Sequence, residues 1–339
     1  MNFKNLCSTE EREKVSDYID SWGWASEREL NVITPPWNGA DIFLKIVLSY
    51  TKKGKSILYV TDENEDIQVI DSIKRNSDYR GYTHIRRTSD QMDSNMVIAN
   101  FKSAITLNRK FDLIIYDEIN SLPQHESNSI IKLLDELSEE NGKRIAYSVE
   151  RIFKNSNDII LPVRDKNVPV IEPRDIITRV DINKDIPYVV YDYLKWSINN
   201  NRNVIIYVPS EDKVEKVFNY MNKYTWDKLC NISYFIKDKS DIKTMFNFYR
   251  RKKSIMITNE FSMAPASLAN TDIMVYFANN PVFSHKVLTH ICSRVNKTES
   301  NSMGEAVLLF NEKCSNIDAA KEIARNFNKE AWDMGLLKL

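Results

Sequence analysis

The chain has 339 residues, 42% of them hydrophobic and 28% charged, which suits a soluble globular protein of about two domains. Lys plus Arg and Asp plus Glu number 47 each, so bulk charge gives no argument for nucleic acid, and any such contact must be local or salt-sensitive. The four cysteines, Cys7, Cys230, Cys292 and Cys314, form no C-x-x-C pair, which argues against a structural zinc module and for a reducing compartment.

Residues Met1 to Arg12 are polar and lack the apolar centre of a signal peptide. Apolar runs reach only about five residues, far short of the roughly 20 that cross a bilayer. The expected location is the cytoplasm, with no membrane span.

Taken in chain order, Thr9 to Trp22 reads as an amphipathic helix with a cap-like Ser8-Thr9-Glu10-Glu11 start. Strands are expected at Asn31–Thr34, Ser56–Thr61, Met96–Ala99, Asp112–Tyr116 and Arg144–Ser148. Helical segments fall between them at Asp41–Thr51, Glu65–Arg75 and Ser127–Glu139. The rhythm then repeats. Strands at Asn203–Val208, Ile232–Phe235, Ser254–Thr258, Asp272–Phe277 and Ala306–Phe310 alternate with helices at Ile186–Asn199, Glu211–Lys223, Asp241–Arg251, His285–Arg294 and Asn316–Asn328.

This alternation argues for an α/β protein with parallel sheets flanked by helices. Phe153 to Arg179 carries Pro162, Pro169 and Pro173 without clear periodicity. The expected organisation is an N-terminal domain over 1–155, a linker over 156–180 and a C-terminal domain over 181–339, with a cleft between the domains. Ligands of such folds sit at the carboxyl ends of the strands.

The strongest local signal is Phe111-Asp112-Leu113-Ile114-Ile115-Tyr116-Asp117-Glu118, an apolar strand that ends in two adjacent carboxylates. In a P-loop ATPase the first such carboxylate serves Mg²⁺ and the second polarises the attacking water. A strand that simply ends in a solvated acidic turn is an equally good account of the pair taken alone.

A phosphate loop, G-x-x-x-x-G-K-[ST], belongs after the first strand. Here that place holds Thr34-Pro35-Pro36-Trp37-Asn38-Gly39-Ala40-Asp41. Gly39 fits the last glycine, but Ala40 stands where the lysine belongs and Asp41 where the Ser/Thr belongs. A charge-assisted hydrogen bond is worth roughly 1.5–3 kcal/mol. Without two such bonds to the phosphates, and with a repulsive carboxylate in their place, nucleotide affinity falls by ~100-fold or more. Asp41 itself reads more simply as an N-cap for a structural helix.

Seven segments in order carry a resemblance. "VITPPWNGAD" stands at motif I, "SILYVTDENE" at the approach to motif Ia, "MVIANFKSAITLNRKFDLIIYDEIN" at the Ib-to-II block, and "RIAYSVE" at motif III with only Ser148 kept. "NVIIYVPSEDKVEKV" resembles motif IV. In "SIMITNEFSMAPASLANTDIMVYF" Met263-Ala264-Pro265 replaces the usual Glu-Arg-Gly of motif V. "LTHICSRVNKT" resembles motif VI, with Arg294 kept and Lys297 in place of the final arginine.

Nearly all of the chain thus resembles superfamily 2 helicases, and within them the ComFA-like late-competence ATPases and their PriA-like relatives. An N-terminal four-cysteine module, frequent in ComFA proteins, is absent. Acidic Asp62, Glu63, Glu65 and Asp66 stand where basic or small residues often face the nucleic-acid backbone, and they read as a solvated loop and helix start.

The resemblance implies two RecA-like domains of the P-loop NTPase type, ATP and Mg²⁺ as cofactors, and single-stranded DNA as partner. Asp117 would serve the metal, Glu118 would orient water, and Arg294 would stabilise the transferred phosphoryl group. Pro36, Asn38 and Gly39 would line the phosphate loop, joined by Lys297, whose ammonium lacks the planar fork of arginine. Two functional readings follow. One is a translocase of DNA uptake with weak or lost hydrolysis. The other is an inactive helicase-fold scaffold acting through a protein partner of the DNA-uptake or repair machinery. A third, an unrelated α/β binding protein, requires the ordered matches to be accidental.

Overall fold

The computed structural model describes residues 9–63, 67–85, 94–164, 168–224, 226, 230–265, 268–295 and 304–337, without the side chains of 9–11. The chain divides into two compact units, Met1–Val170 with Asn326–Leu339, and Ile171–Arg325.

The first unit opens with α1 (Thr9–Gly23) and β1 (Glu29–Ile33). A tight turn of 3-10 helix at Asp41–Phe43 runs into α2 (Leu44–Lys52). There follow β2 (Ile57–Thr61), α3 (Gln68–Asn76), β3 (Tyr82–Ile85), β4 (Met96–Ala99), α4 (Phe101–Ala104), β5 (Phe111–Asp117), α5 (Ser127–Leu137), β6 (Ser138–Ser148) and β7 (Asn157–Ile160). The strands form one sheet in the order β3-β4-β2-β5-β6-β1-β7, and every pairing is parallel.

All five residues of β2 are buried, as are Leu113 to Asp117 of β5. A parallel sheet covered on both faces needs such continuous apolar runs. Alternate residues divide between the faces. Leu58, Val60, Ile114, Tyr116 and Ala146 share one core with Ile130, Leu133 and Leu134 of α5. Along these strands Tyr59 and Tyr147 alternate with that set, and the Tyr147 ring meets Phe43 edge-on at 5.1 Å.

Polar contacts dock α1 on α2. Lys45 reaches Asp17 at 2.6 Å and Glu13 at 3.3 Å, and the Tyr50 hydroxyl donates to the Gly23 carbonyl at 2.7 Å.

The second unit runs β8 (Arg174–Ile177), α6 (Tyr188–Asn199), β9 (Asn203–Tyr207), α7 (Glu211–Met221), β10 (Asn231–Phe235), α8 (Lys243–Arg250), β11 (Ser254–Thr258), β12 (Thr271–Tyr276), α9 (His285–Cys292) and β13 (Ala306–Phe310). Its sheet has the order β10-β11-β9-β12-β13-β8, again parallel throughout. Arg202 and Asp272 pair inside it at 2.6 Å, and Asp272 also accepts from Ser197 Oγ at 3.0 Å and the Glu305 amide at 2.9 Å. The last helix, α10 (Ser315–Asp333), begins in this unit and ends in the first, where Asn328 exchanges hydrogen bonds with the backbone of Val170.

The expected strands all form, and three further ones join them. β3, β7 and β8 have four residues each and lie at sheet edges, where one neighbour suffices and the apolar run is short. Two of them change the reading of 156–180. This stretch is no plain linker, because β7 pairs with β1 and β8 pairs with β13. Among the described residues no helix is long and apolar enough to cross a membrane.

Candidate functional site

A parallel sheet delivers the carboxyl ends of its strands to one edge. In the first unit β1 delivers the loop from Thr34, β5 delivers Asp117 and Glu118, and β2 delivers Asp62 and Glu63. Backbone bonds tie these ends together. The Trp37 amide donates to the Ile119 carbonyl at 3.0 Å, the Glu118 amide to Tyr147 at 3.1 Å, and the Thr34 amide to Ser148 at 3.0 Å. The Tyr147 hydroxyl donates to the Gly39 carbonyl at 3.0 Å. Pro36, Asn38 and Gly39 therefore lie in the loop that is bonded to the segment after Asp117 and Glu118.

The loop itself is filled by its own groups. Pro35 and Pro36 are buried and offer no N–H. Trp37 holds a left-handed backbone at φ 63°, a conformation that costs a bulky residue on the order of 1–2 kcal/mol. Buried Asn38 donates to Thr34 Oγ1 at 2.7 Å and to the Val163 carbonyl at 3.2 Å, while its Oδ1 accepts from the Gly39 amide at 3.0 Å.

A residue from outside the loop completes the arrangement. Arg12 of α1 donates Nη1 to Asn38 Oδ1 at 2.8 Å, Nη2 to the Gly39 carbonyl at 2.9 Å, and Nε to Asp41 Oδ2 at 3.1 Å; Nη2 also pairs with Asp41 Oδ1. Asp41 is consequently no helix cap. Ala40 takes the cap position without a side-chain bond, and the Asp41 carboxylate turns to the guanidinium, a stronger charge-assisted partner.

Asp117 is 1% exposed and accepts four protein donors. Tyr59 Oη lies at 2.6 Å and Asn120 Nδ2 at 3.2 Å from Oδ2; the amides of Ile119 and Asn120 lie at 2.8 and 3.4 Å from Oδ1. A carboxylate has about four lone-pair sites, so this one is fully engaged. Burial pushes its pKa up against these bonds.

Glu63 is the more perturbed neighbour. Burial first, and the charge of Asp117 second, push its carboxyl up to about 9. It accepts from the Gln68 amide at 3.0 Å and from Thr61 Oγ1 at 3.4 Å. Asp117 has the richer set of donors, so Glu63 is the one that keeps a proton at neutral pH.

The acidic stretch after β2 is therefore not a solvated loop, as far as it is described. Asp62 accepts from the Phe101 amide at 3.1 Å and meets His125 Nε2 at 2.9 Å, with the imidazole stacked on Phe101 at 3.8 Å. Glu65 and Asp66 lie outside the described residues. Glu118 is 1% exposed.

Arg294 belongs to the second unit and is fully buried there. It follows α9, donates Nη1 to the Phe261 carbonyl, and its charge acts on the Tyr207 and Tyr249 hydroxyls, whose pKa values burial raises. Lys297 lies outside the described residues.

The residues of this edge do not fit a nucleotide with Mg²⁺. The loop has no lysine, its first helical carboxylate is paired with Arg12, and the oxygens of Asp117 are taken. Among the described residues no group of three or more His, Cys, Asp or Glu is placed to hold a metal ion. Arg12, Tyr59, Glu63, Asn120 and Tyr147 do not stand out in the sequence as members of this edge. Only one of them left a signal: a loop with an unbalanced aspartate and no lysine needs a cation from elsewhere.

No family model matches the sequence, and no curated protein does. Solved structures do. RecG bound to a three-way DNA junction is 11% identical with a TM-score of 0.55, over 97% of this chain and 46% of its own. The DExH-box NTPase HrpB of E. coli is 9% identical with a TM-score of 0.50, over 90% of this chain and 41% of its own. The Hef helicase domain of Pyrococcus furiosus is 10% identical with a TM-score of 0.48, over 91% of this chain and 97% of its own. The chain spans less than half of the RecG and HrpB chains. At such identities the likeness is one of fold alone: two parallel sheets flanked by helices, as in RecA-like domains.

Proposed function

We propose that this is a ComFA-like helicase-fold protein that has lost ATP hydrolysis and serves as a scaffold in a DNA-handling assembly. The observation that carries this reading is the state of Asp117. Its oxygens serve Tyr59, Ile119 and Asn120, so a metal ion would have to displace buried donors. Leaving such a donor unmet costs roughly 1–3 kcal/mol. The Arg12–Asp41 pair in the loop adds a second obstacle, because a polyphosphate would have to part it.

Single-stranded DNA enters this proposal through the resemblance, together with a protein partner in DNA uptake or repair. With a net charge of zero, any DNA contact by this chain must be local, or weak and salt-sensitive. Calorimetric titration of the full chain with Mg-ATP, with and without single-stranded DNA, tests the reading. No heat at millimolar nucleotide supports it. Micromolar binding, or any DNA-stimulated phosphate release, sinks it.

A further inference from the structure

The contacts of Arg12 have the form of oxyanion recognition. A guanidinium presents Nε and Nη2 as a planar fork to two carboxylate oxygens, the geometry with which arginine also grips phosphate. Its Nη1 and Nη2 are also fixed by Asn38 Oδ1 at 2.8 Å and the Gly39 carbonyl at 2.9 Å, so the fork is aimed before the anion arrives. The anion is supplied by the chain itself, from Asp41.

Gly39 is part of the same arrangement. A Cβ at this position would lie 2.5 Å from Asp41 Oδ1 and 2.8 Å from Arg12 Nη2. The loop has neither the lysine nor the hydroxyl of a phosphate loop yet keeps this glycine, and the ion pair rests on the bare Cα. A glycine that lets an anion approach the backbone is what a phosphate loop requires, and here the anion is a side chain.

We propose that Asp41 is a tethered surrogate for phosphate: Arg12 and the Asn38–Asp41 loop form an anion site that the chain fills in cis, holding the loop closed without nucleotide. This inference rests on the reading that the wild-type loop does not serve ATP. It adds that the site keeps its competence for an external oxyanion of the phosphate or pyrophosphate class once the internal one is removed.

The test uses the full chain and inorganic pyrophosphate without metal, at constant ionic strength set with chloride. Asp41→Ser, and Asp41→Asn as a shape-preserving second variant, are compared with wild type and with Arg12→Ala/Asp41→Ser by thermal unfolding and calorimetry. The single variants are expected to melt below wild type and to regain stability with pyrophosphate, with a Kd on the order of 1 mM and at least ~10-fold tighter than wild type. The double variant should gain nothing.

Equal pyrophosphate binding by single and double variants would mean adventitious surface binding and overturn the proposal. So would folded single variants that bind none. In both cases a wild type silent toward Mg-ATP leaves the scaffold reading standing. Micromolar Mg-ATP binding by wild type sinks that reading, and this one with it.

Discussion

Replacing Asp117 by alanine separates a structural carboxylate from a catalytic one. A residue kept for metal chemistry is commonly neutral or costly to stability, so removing it leaves the fold unchanged or firmer. A residue kept as an acceptor does the opposite. Asp117 accepts Tyr59 Oη at 2.6 Å, Asn120 Nδ2 at 3.2 Å and the Ile119 amide at 2.8 Å, all in a site 1% exposed.

Alanine leaves those donors without their acceptor in a place that water barely reaches. Each buried donor so stranded costs roughly 1–3 kcal/mol, and relaxation and entering water recover part of the sum. A net loss of ~3–5 kcal/mol is expected, comparable with breaking a buried ion pair. For a unit of this size that is a fall of roughly 6–20 °C in melting temperature. Urea unfolding followed by circular dichroism, with an unchanged m-value, is the assay. Asp117→Asn keeps the shape and one acceptor oxygen, and should fall between. An alanine variant as stable as wild type would refute the argument and return Asp117 to the role of a metal ligand.

Glu63 gives a pH dependence. Its folded pKa of about 9 lies above its ordinary 4.5, so between these values the folded chain holds a proton that the unfolded chain has released. Its contribution is whole below pH 4.5 and drains away as pH rises to about 9, by up to ~1.4 kcal/mol per pH unit. Glu63→Gln should match wild type near pH 5 and melt higher at pH 8–9; parallel profiles would count against the protonated carboxyl. Gly39→Ala should displace the Arg12–Asp41 ion pair rather than the backbone and cost under ~1 kcal/mol in thermal unfolding, and the cost should vanish in an Arg12→Ala background. In the second unit, Asp272→Ala should cost ~3–5 kcal/mol in urea by stranding Arg202, and Arg202→Met/Asp272→Leu should recover much of it; equal losses in both variants would mean the pair is not the cause.

The fold was legible because both sheets are built of buried parallel strands, and such strands are continuous apolar runs that stand out residue by residue. The runs at Ile57–Thr61 and Ser254–Thr258 are buried along their whole length. β8 was not legible, since only Ile176 of its four residues is buried and Ile177 is exposed. The candidate site was legible where its residues are neighbours in sequence, as in Asn38-Gly39 and Asp117-Glu118. It was not legible where the decisive partner is distant. Arg12 stands 29 positions before Asp41, and Tyr59 stands 58 before Asp117. Their pairing follows from how α1 docks on α2 and how β2 lies beside β5, which no spacing rule encodes.

That distance explains how one motif can carry two meanings. An apolar strand that ends in Asp-Glu places two carboxylates at a sheet edge, whatever happens next. What they do is decided by the groups that converge on them. Open coordination and a nearby lysine would make the edge a phosphate site. Here Tyr59, Asn120 and the turn after β5 converge on Asp117, and burial together with the charge of Asp117 favours a proton on Glu63. The loop bonded to this edge likewise pairs its charges internally. Its anion comes from Asp41 and its cation from Arg12, so the charges a nucleotide and its metal would balance are balanced within the chain. Restoring chemistry by adding the missing lysine alone should therefore fail. Ala40→Lys places a cation at a buried position, 1% exposed, beside Asp41 already paired with Arg12, and gains no phosphate partner. The variant should bind Mg-ATP no better than wild type in calorimetry. Ala40→Lys combined with Asp41→Ser, which vacates the internal anion, should bind measurably tighter than either single change. If Ala40→Lys alone were enough, the internal ion pair would not be what closes the loop.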